Sequence, residues 1–142
     1  MKLLGTFLTT LITFLLPIKA LVLLVIGMVL LDTITGVYVT IKTFGRKSFR
    51  SGFLFNIVPK TFLYTSTIVL SFMVDKFILG GSLMGISLLL SKACSVLWTY
   101  IEIKSIDENL QKLGHKPLLE TVKEFFVKLK LIKKDINEIC DK

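Results

Sequence analysis

The chain has 142 residues, of which 53% are hydrophobic and 20% charged, with a mean hydropathy of +0.75 and a formal net charge of +8. That length allows one domain at most, and a soluble domain so small needs far more polar surface than this composition supplies. Residues 1 to 101 hold nine Lys or Arg with only two acids, Asp32 and Asp75, while residues 102 to 142 hold nine Lys and eight acids, so a basic membrane part (1-101) precedes a charged amphipathic tail (102-142).

The basic residues stand at the borders of apolar runs. They are not interleaved with exposed aromatics on a polar surface, as in a nucleic-acid binder, and they read as membrane topology. The first apolar run, residues 3-16, is preceded by Lys2 and ends at Pro17. Fourteen residues make about 21 Å of helix, short of a bilayer core of about 30 Å. No small-x-small cleavage pattern precedes Ala20 and a second apolar run follows at once, which argues against a signal peptide. Lying in the interface and spanning with Lys2 and Lys19 snorkelling both remain open. Thr6, Thr9, Thr10 and Thr13 share the face opposite Leu4, Phe7, Leu11 and Phe14, which favours packing on a neighbouring helix over lining a pore.

The second run, about residues 20-42, is interrupted only by Asp32 and is a predicted span. From Lys42 to Lys60 the sequence carries Lys42, Arg46, Lys47, Arg50 and Lys60 and no acid, which places this loop in the cytoplasm by the positive-inside rule. A third run, about 57-79, ends near Asp75 and Lys76, with a turn expected at Gly80-Gly81-Ser82. The fourth, about 83-101, contains Lys92 and closes on Trp98 and Tyr100, residue types suited to the interface. The fold class is therefore an all-α integral membrane protein: three transmembrane helices, an N-terminal apolar helix that spans or lies in the interface, and an amphipathic C-terminal helix on the cytoplasmic side.

The tail breaks at Gly114-His115-Lys116-Pro117, after which Leu118, Val122, Phe125, Leu129, Ile132, Ile136 and Ile139 recur at alternating spacings of four and three. Leu119 and Phe126 broaden this heptad stripe. Self-association, docking on the membrane-proximal part, and an interfacial helix with Lys128, Lys130, Lys133 and Lys134 on anionic lipid are all compatible with it. Cys94 and Cys140 lie in different regions with no disulfide or metal-ligand spacing.

Charges at membrane depth cost about 2.5 to 3.5 kcal/mol each on insertion scales, so they seek partners. Asp32 lies ten residues before Lys42 and Lys92 ten before Glu102, about 15 Å of helix in each case. Equal depth predicts an Asp32-Lys92 pair, within one chain or between neighbours. Asp32, Gly36 and Thr40 share a helix face, and Gly81 and Gly85 form a small-xxx-small pair. Lys60, Tyr64, Thr67, Ser71 and Asp75 draw one polar stripe along the third run, suited to close helix packing first and to a wetted wall second. The only histidine, His115, stands at a turn, and no nucleophile-base set, phosphate loop or metal cluster is present. The sequence thus points to no enzyme, cofactor or metal.

Two motifs carry a family resemblance. Asp32, Ile34, Thr35 and Gly36, in D-T-I-T-G before a basic loop with Gly52 and Lys60, resemble the D-x-I-T-G signature of the phage holin and toxin-secretion holin family. Glu102, Ser105, Ile106, Glu108 and Asn109, followed by Leu113-Gly114, are similar to the family's E-x-x-S-I-x-E-N segment after the last span. The resemblance covers about residues 20 to 130. It implies a small phage or prophage protein of the bacterial cytoplasmic membrane that forms homo-oligomers and opens lesions through which a peptidoglycan hydrolase or toxin leaves, without necessarily touching it. Lys92 and the heptad tail belong to neither motif. Two other classes fit the residues: a small channel or transporter subunit using Asp32, Lys92 and Asp75, and a membrane adaptor acting through the C-terminal helix.

Overall fold

The computed structural model describes residues 2–46 and 52–140, so Lys47 and Arg50 of the basic loop lie outside the described residues, as do the side chains of Ile136 and Ile139. Helix α1 (Lys2–Leu15) passes through a 3-10 turn (Leu16–Ile18) into α2 (Lys19–Phe44). A single turn, α3 (Gly52–Phe55), precedes α4 (Ile57–Phe77). A two-stranded hairpin, β1 (Ser82–Leu83) with β2 (Ile86–Ser87), leads to α5 (Leu89–Gln111), and α6 (Leu118–Cys140) forms the tail.

The first two apolar runs meet at Pro17, where the 3-10 turn Leu16–Ile18 ends α1 at Leu15 and α2 starts at Lys19. Proline occupies the start of the 3-10 turn, where a missing N–H breaks no bond of an established helix. Counted together with the 3-10 turn, Leu3–Phe44 is a helical stretch of 42 residues. Residues 3 to 13 are exposed, and only the end of α1 reaches the core. There Phe14 meets Phe72 edge-on at 5.1 Å and stacks on Phe77 at 6.0 Å, with the Lys76 ammonium 4.5 Å from its ring centre. On the threonine face, which is exposed, Thr9, Thr10 and Thr13 donate to the carbonyls of Gly5, Thr6 and Thr9 in their own helix.

Helices α2, α4 and α5 form the bundle. Contacts of Asp75 with Ser91, Ser71 with Cys94, Thr67 with Trp98 and Lys60 with Glu102 show that α4 and α5 run antiparallel. Since α2 is antiparallel to α4, with Phe14 at Phe72 and Asp32 at Lys60, α2 and α5 run parallel. The apolar core is narrow: Ile18, Val25, Val29, Tyr64, Ile68 and Phe72. Outward faces stay apolar and exposed, as at Leu23, Leu31, Ile34, Phe62 and Leu70, the pattern expected where lipid is the solvent. Among the described residues, two helical stretches, Leu3–Phe44 and α4, are long and apolar enough to cross a membrane.

The fourth run departs from expectation at both ends. Its first residues form the hairpin, with Ser82 paired to Ser87 and Leu83 to Ile86. Met84 and Gly85, at φ 52 and 77, make the two-residue loop with both central residues left-handed. Gly81 also has positive φ (89), and a Cβ added at Gly81 or Gly85 would meet nothing within 4 Å. These glycines serve turns and form no helix-packing pair. At the other end α5 continues past Ile101 to Gln111, so the division between membrane part and tail falls within a helix. Gly114 (φ 83) then frees the chain to turn, and α6 follows with every described side chain from Leu118 to Lys133 exposed. In this structure that stretch is not docked on the membrane-proximal part of its own chain.

Candidate functional site

The polar stripe of α4 lies against a complementary stripe of α5 that the sequence reading missed. Ser91, Ser95, Trp98, Glu102, Ser105 and Asn109 recur at spacings of four and three, which puts them on one helix face. Ser91, Ser95 and Glu102 are at most 1% exposed. In bonding order from the hairpin end, the Asp75 carboxylate accepts from the Leu90 and Ser91 amides at 3.0 and 2.8 Å and from the Ser91 hydroxyl at 2.7 Å. Next, Ser71 Oγ stands 3.0 Å from Cys94 Sγ. Trp98 Nε1 donates to Thr67 Oγ1 at 2.7 Å, and its ring stacks on Tyr64 with centres 4.1 Å apart. Trp98 is thus half-buried and packed against the apolar core, whereas Tyr100 is 60% exposed.

Asp75 has a specific task. Residue 88, which should cap α5, is a leucine in the left-handed conformation with no capping side chain. The orphan amides of the first turn need acceptors, and Asp75 supplies them from the facing helix. A carboxylate there also meets the positive end of the helix dipole.

At the far end of the seam lies a charge cluster. Lys60 Nζ donates to Asp32 Oδ2 at 2.9 Å and to both Glu102 oxygens at 3.2 Å, while the Tyr64 hydroxyl donates to Glu102 Oε1 at 2.7 Å. Asn109 Nδ2 reaches Asp32 Oδ1 at 3.4 Å, and Ser105 also faces Asp32. Glu102 is fully buried, Asp32 is 9% exposed at its side chain, and Lys60 is 35% exposed. Two carboxylates therefore share one ammonium. A cavity of about 200 Å3 opens beside them, lined in part by Thr33, Gly36, Thr40 and Asn56, polar and large enough to hold water.

The expected Asp32-Lys92 pair is replaced by Asp32-Lys60 within the chain. Glu102 does not end its helix, because α5 runs on to Gln111. Lys92 consequently sits in the first turn of α5, about 15 Å from Glu102, with its ammonium 3.4 Å from Ser87 Oγ. The family-motif residues divide in a similar way. Asp32, Gly36, Glu102, Ser105 and Asn109 converge on the cluster, whereas Ile34 is 64% exposed and Glu108 is exposed. Thr35 turns back on the Asp32 and Leu31 carbonyls, Thr40 bonds the Gly36 carbonyl at 2.8 Å, and Ile106 is half-buried.

Gly36 matters for closeness of approach. A Cβ built there would lie 3.5 Å from Asn109 Nδ2, an ordinary contact. Gly36→Ala should leave the fold within about 1 kcal/mol of the original, while Gly36→Leu must displace Asn109 and should cost about 1 to 3 kcal/mol. Detergent unfolding of the two variants checks this.

In the tail, Lys116 and Glu124 form an exposed ion pair. The Lys116 ammonium beside it holds the Glu124 carboxyl below its ordinary range, and Glu124 holds Lys116 above its own. Water screens such a pair, so it steadies the start of α6 only weakly. Among the described residues, no three or more metal-ligating side chains come together.

Apolar outer faces around a hydrogen-bonded, charged seam define a helical membrane protein. The sequence profile of the bacteriophage holin family matches residues 7–131, and the chain belongs to that family. No curated protein and no solved structure matches it significantly.

Proposed function

We propose that this chain accumulates in the bacterial cytoplasmic membrane, oligomerises there and permeabilises it, so that a peptidoglycan hydrolase or a toxin escapes and the host cell lyses. The observation that carries the reading is the seam between α4 and α5. Facing hydroxyls and charges along these apolar helices pair with one another inside one chain. Copies that part this seam would present the same groups to water or to one another, which gives a lipid-facing bundle a second, wetted state. No catalytic step is required.

In this reading α2, α4 and the apolar half of α5 cross the bilayer. The basic segment from Lys42 to Lys60 faces the cytoplasm, which puts α6 on the same side. Co-expression with a cytoplasmic peptidoglycan hydrolase that lacks an export signal tests the proposal. Abrupt lysis that requires both proteins is expected, and lysis by the hydrolase alone, or none with both, contradicts it. A second reading, a small channel subunit, is favoured by the polar cavity beside Asp32 and Lys60. It predicts solute flux without loss of viability.

A further inference from the structure

We propose that α6 is a surface-seeking helix that lies along the anionic leaflet on its own side of the bilayer, apolar face down. Three observations lead there. First, the face is large and uncovered: Leu118, Leu119, Val122, Phe125, Phe126, Leu129 and Ile132 are 42% to 70% exposed and fall within about 140° of helical arc. Second, charge is sorted around that arc. Lys128 borders it on one side and Lys123 and Lys130 on the other, while Glu120 and Glu124 occupy the far pole. Lysines at the borders can extend to lipid phosphates while their stems cover apolar surface, and acids at the pole stay in water. Lys133 lies within the arc and Val127 and Leu131 fall outside it, so the sorting is strong without being complete.

Third, the exit of α6 is fixed. The Leu118 amide donates to Asp107 Oδ1 at 2.8 Å, which ties the first turn of α6 to a residue one turn before the end of α5. The tail therefore starts beside the polar end of the bundle and does not extend away on a free linker.

A second copy of the chain is the competing occupant of this face, and charge disfavours it. With Val122 and Leu129 at a and Phe125 and Ile132 at d, Lys128 takes position g and Lys133 position e. These two positions face each other in a parallel pair, so lysine would meet lysine. Anionic headgroups match the same residues.

The test uses the full-length chain with Cys94→Ser and Cys140→Ser, carrying a fluorophore on a single cysteine and reconstituted in phosphatidylcholine vesicles with or without phosphatidylglycerol. A label at Phe126→Cys should be quenched several-fold more by a lipid-borne quencher when phosphatidylglycerol is present. A label at Glu124→Cys should be quenched by aqueous iodide instead. High salt, or Lys123→Gln, Lys128→Gln and Lys130→Gln together, should return the residue-126 label to water. A label at Leu70→Cys, which is 61% exposed on α4, should be lipid-quenched throughout and so reports insertion independently of any permeabilising activity. Iodide access to residue 126 in anionic vesicles overturns the proposal. So does shielding from both quenchers with cross-linking between copies, and so does lipid quenching that ignores phosphatidylglycerol and salt.

Discussion

Lys60→Met should destabilise the folded chain by about 3 kcal/mol, the low end of what breaking a buried ion pair costs, because a third of the lysine side chain remains exposed. The loss comes less from the missing attraction than from what is left behind. Asp32 and Glu102 would remain buried as two carboxylates with the Tyr64 and Asn109 donors as their remaining hydrogen-bond partners. Neutralising them should therefore recover most of the stability, and Lys60→Met with Asp32→Asn and Glu102→Gln is expected to lie within about 1 kcal/mol of the original. Unfolding in denaturing detergent, followed through the single tryptophan, Trp98, reads both values from the middle of the seam. A triple variant no more stable than Lys60→Met would contradict the sharing of one ammonium by two carboxylates.

The second large effect is expected at the opposite end. Asp75→Ala strips the acceptors from two amides and from the Ser91 hydroxyl in one step. Leaving a buried donor unsatisfied costs about 1 to 3 kcal/mol, and a lost helix cap about 1, so a total of about 3 kcal/mol is expected. Asp75→Asn keeps one acceptor oxygen and should lose about half as much. Hydrogen exchange locates the effect: the amides of the first turn of α5 should exchange faster in Asp75→Ala, while the charge cluster stays protected. Uniform acceleration along the bundle would instead mean that Asp75 acts on the whole fold.

These two sites show what the sequence made legible. Asp32 was recognisable as a charge needing a partner, and the stripe from Lys60 to Asp75 was visible because a helical period shows on one strand of text. The pairing between helices was not, since it depends on where each helix starts and ends. Five residues of the fourth run, 83-87, form part of a hairpin whose Met84 takes a left-handed conformation that glycine or asparagine usually signals. With the inner end placed at Glu102 although α5 runs on to Gln111, Lys92 receives the depth that belongs to Glu102. The second stripe, Ser91 to Asn109, was masked because its apolar half was read as span and its polar half as tail. Pro17 was legible as the end of the first run, and the 3-10 turn between α1 and α2 falls there. The heptad of the tail was plain, because an amphipathic helix with little tertiary packing keeps its pattern undisturbed.

Permeabilisation is the central claim, and membrane potential measures it most directly. The intact chain is produced alone in a bacterium without a peptidoglycan hydrolase, and the potential is followed with a voltage-sensitive dye while membrane insertion is verified by fractionation. The account predicts that the potential is held as protein accumulates and then collapses, with the cell wall intact. A potential that persists at full membrane expression would contradict it.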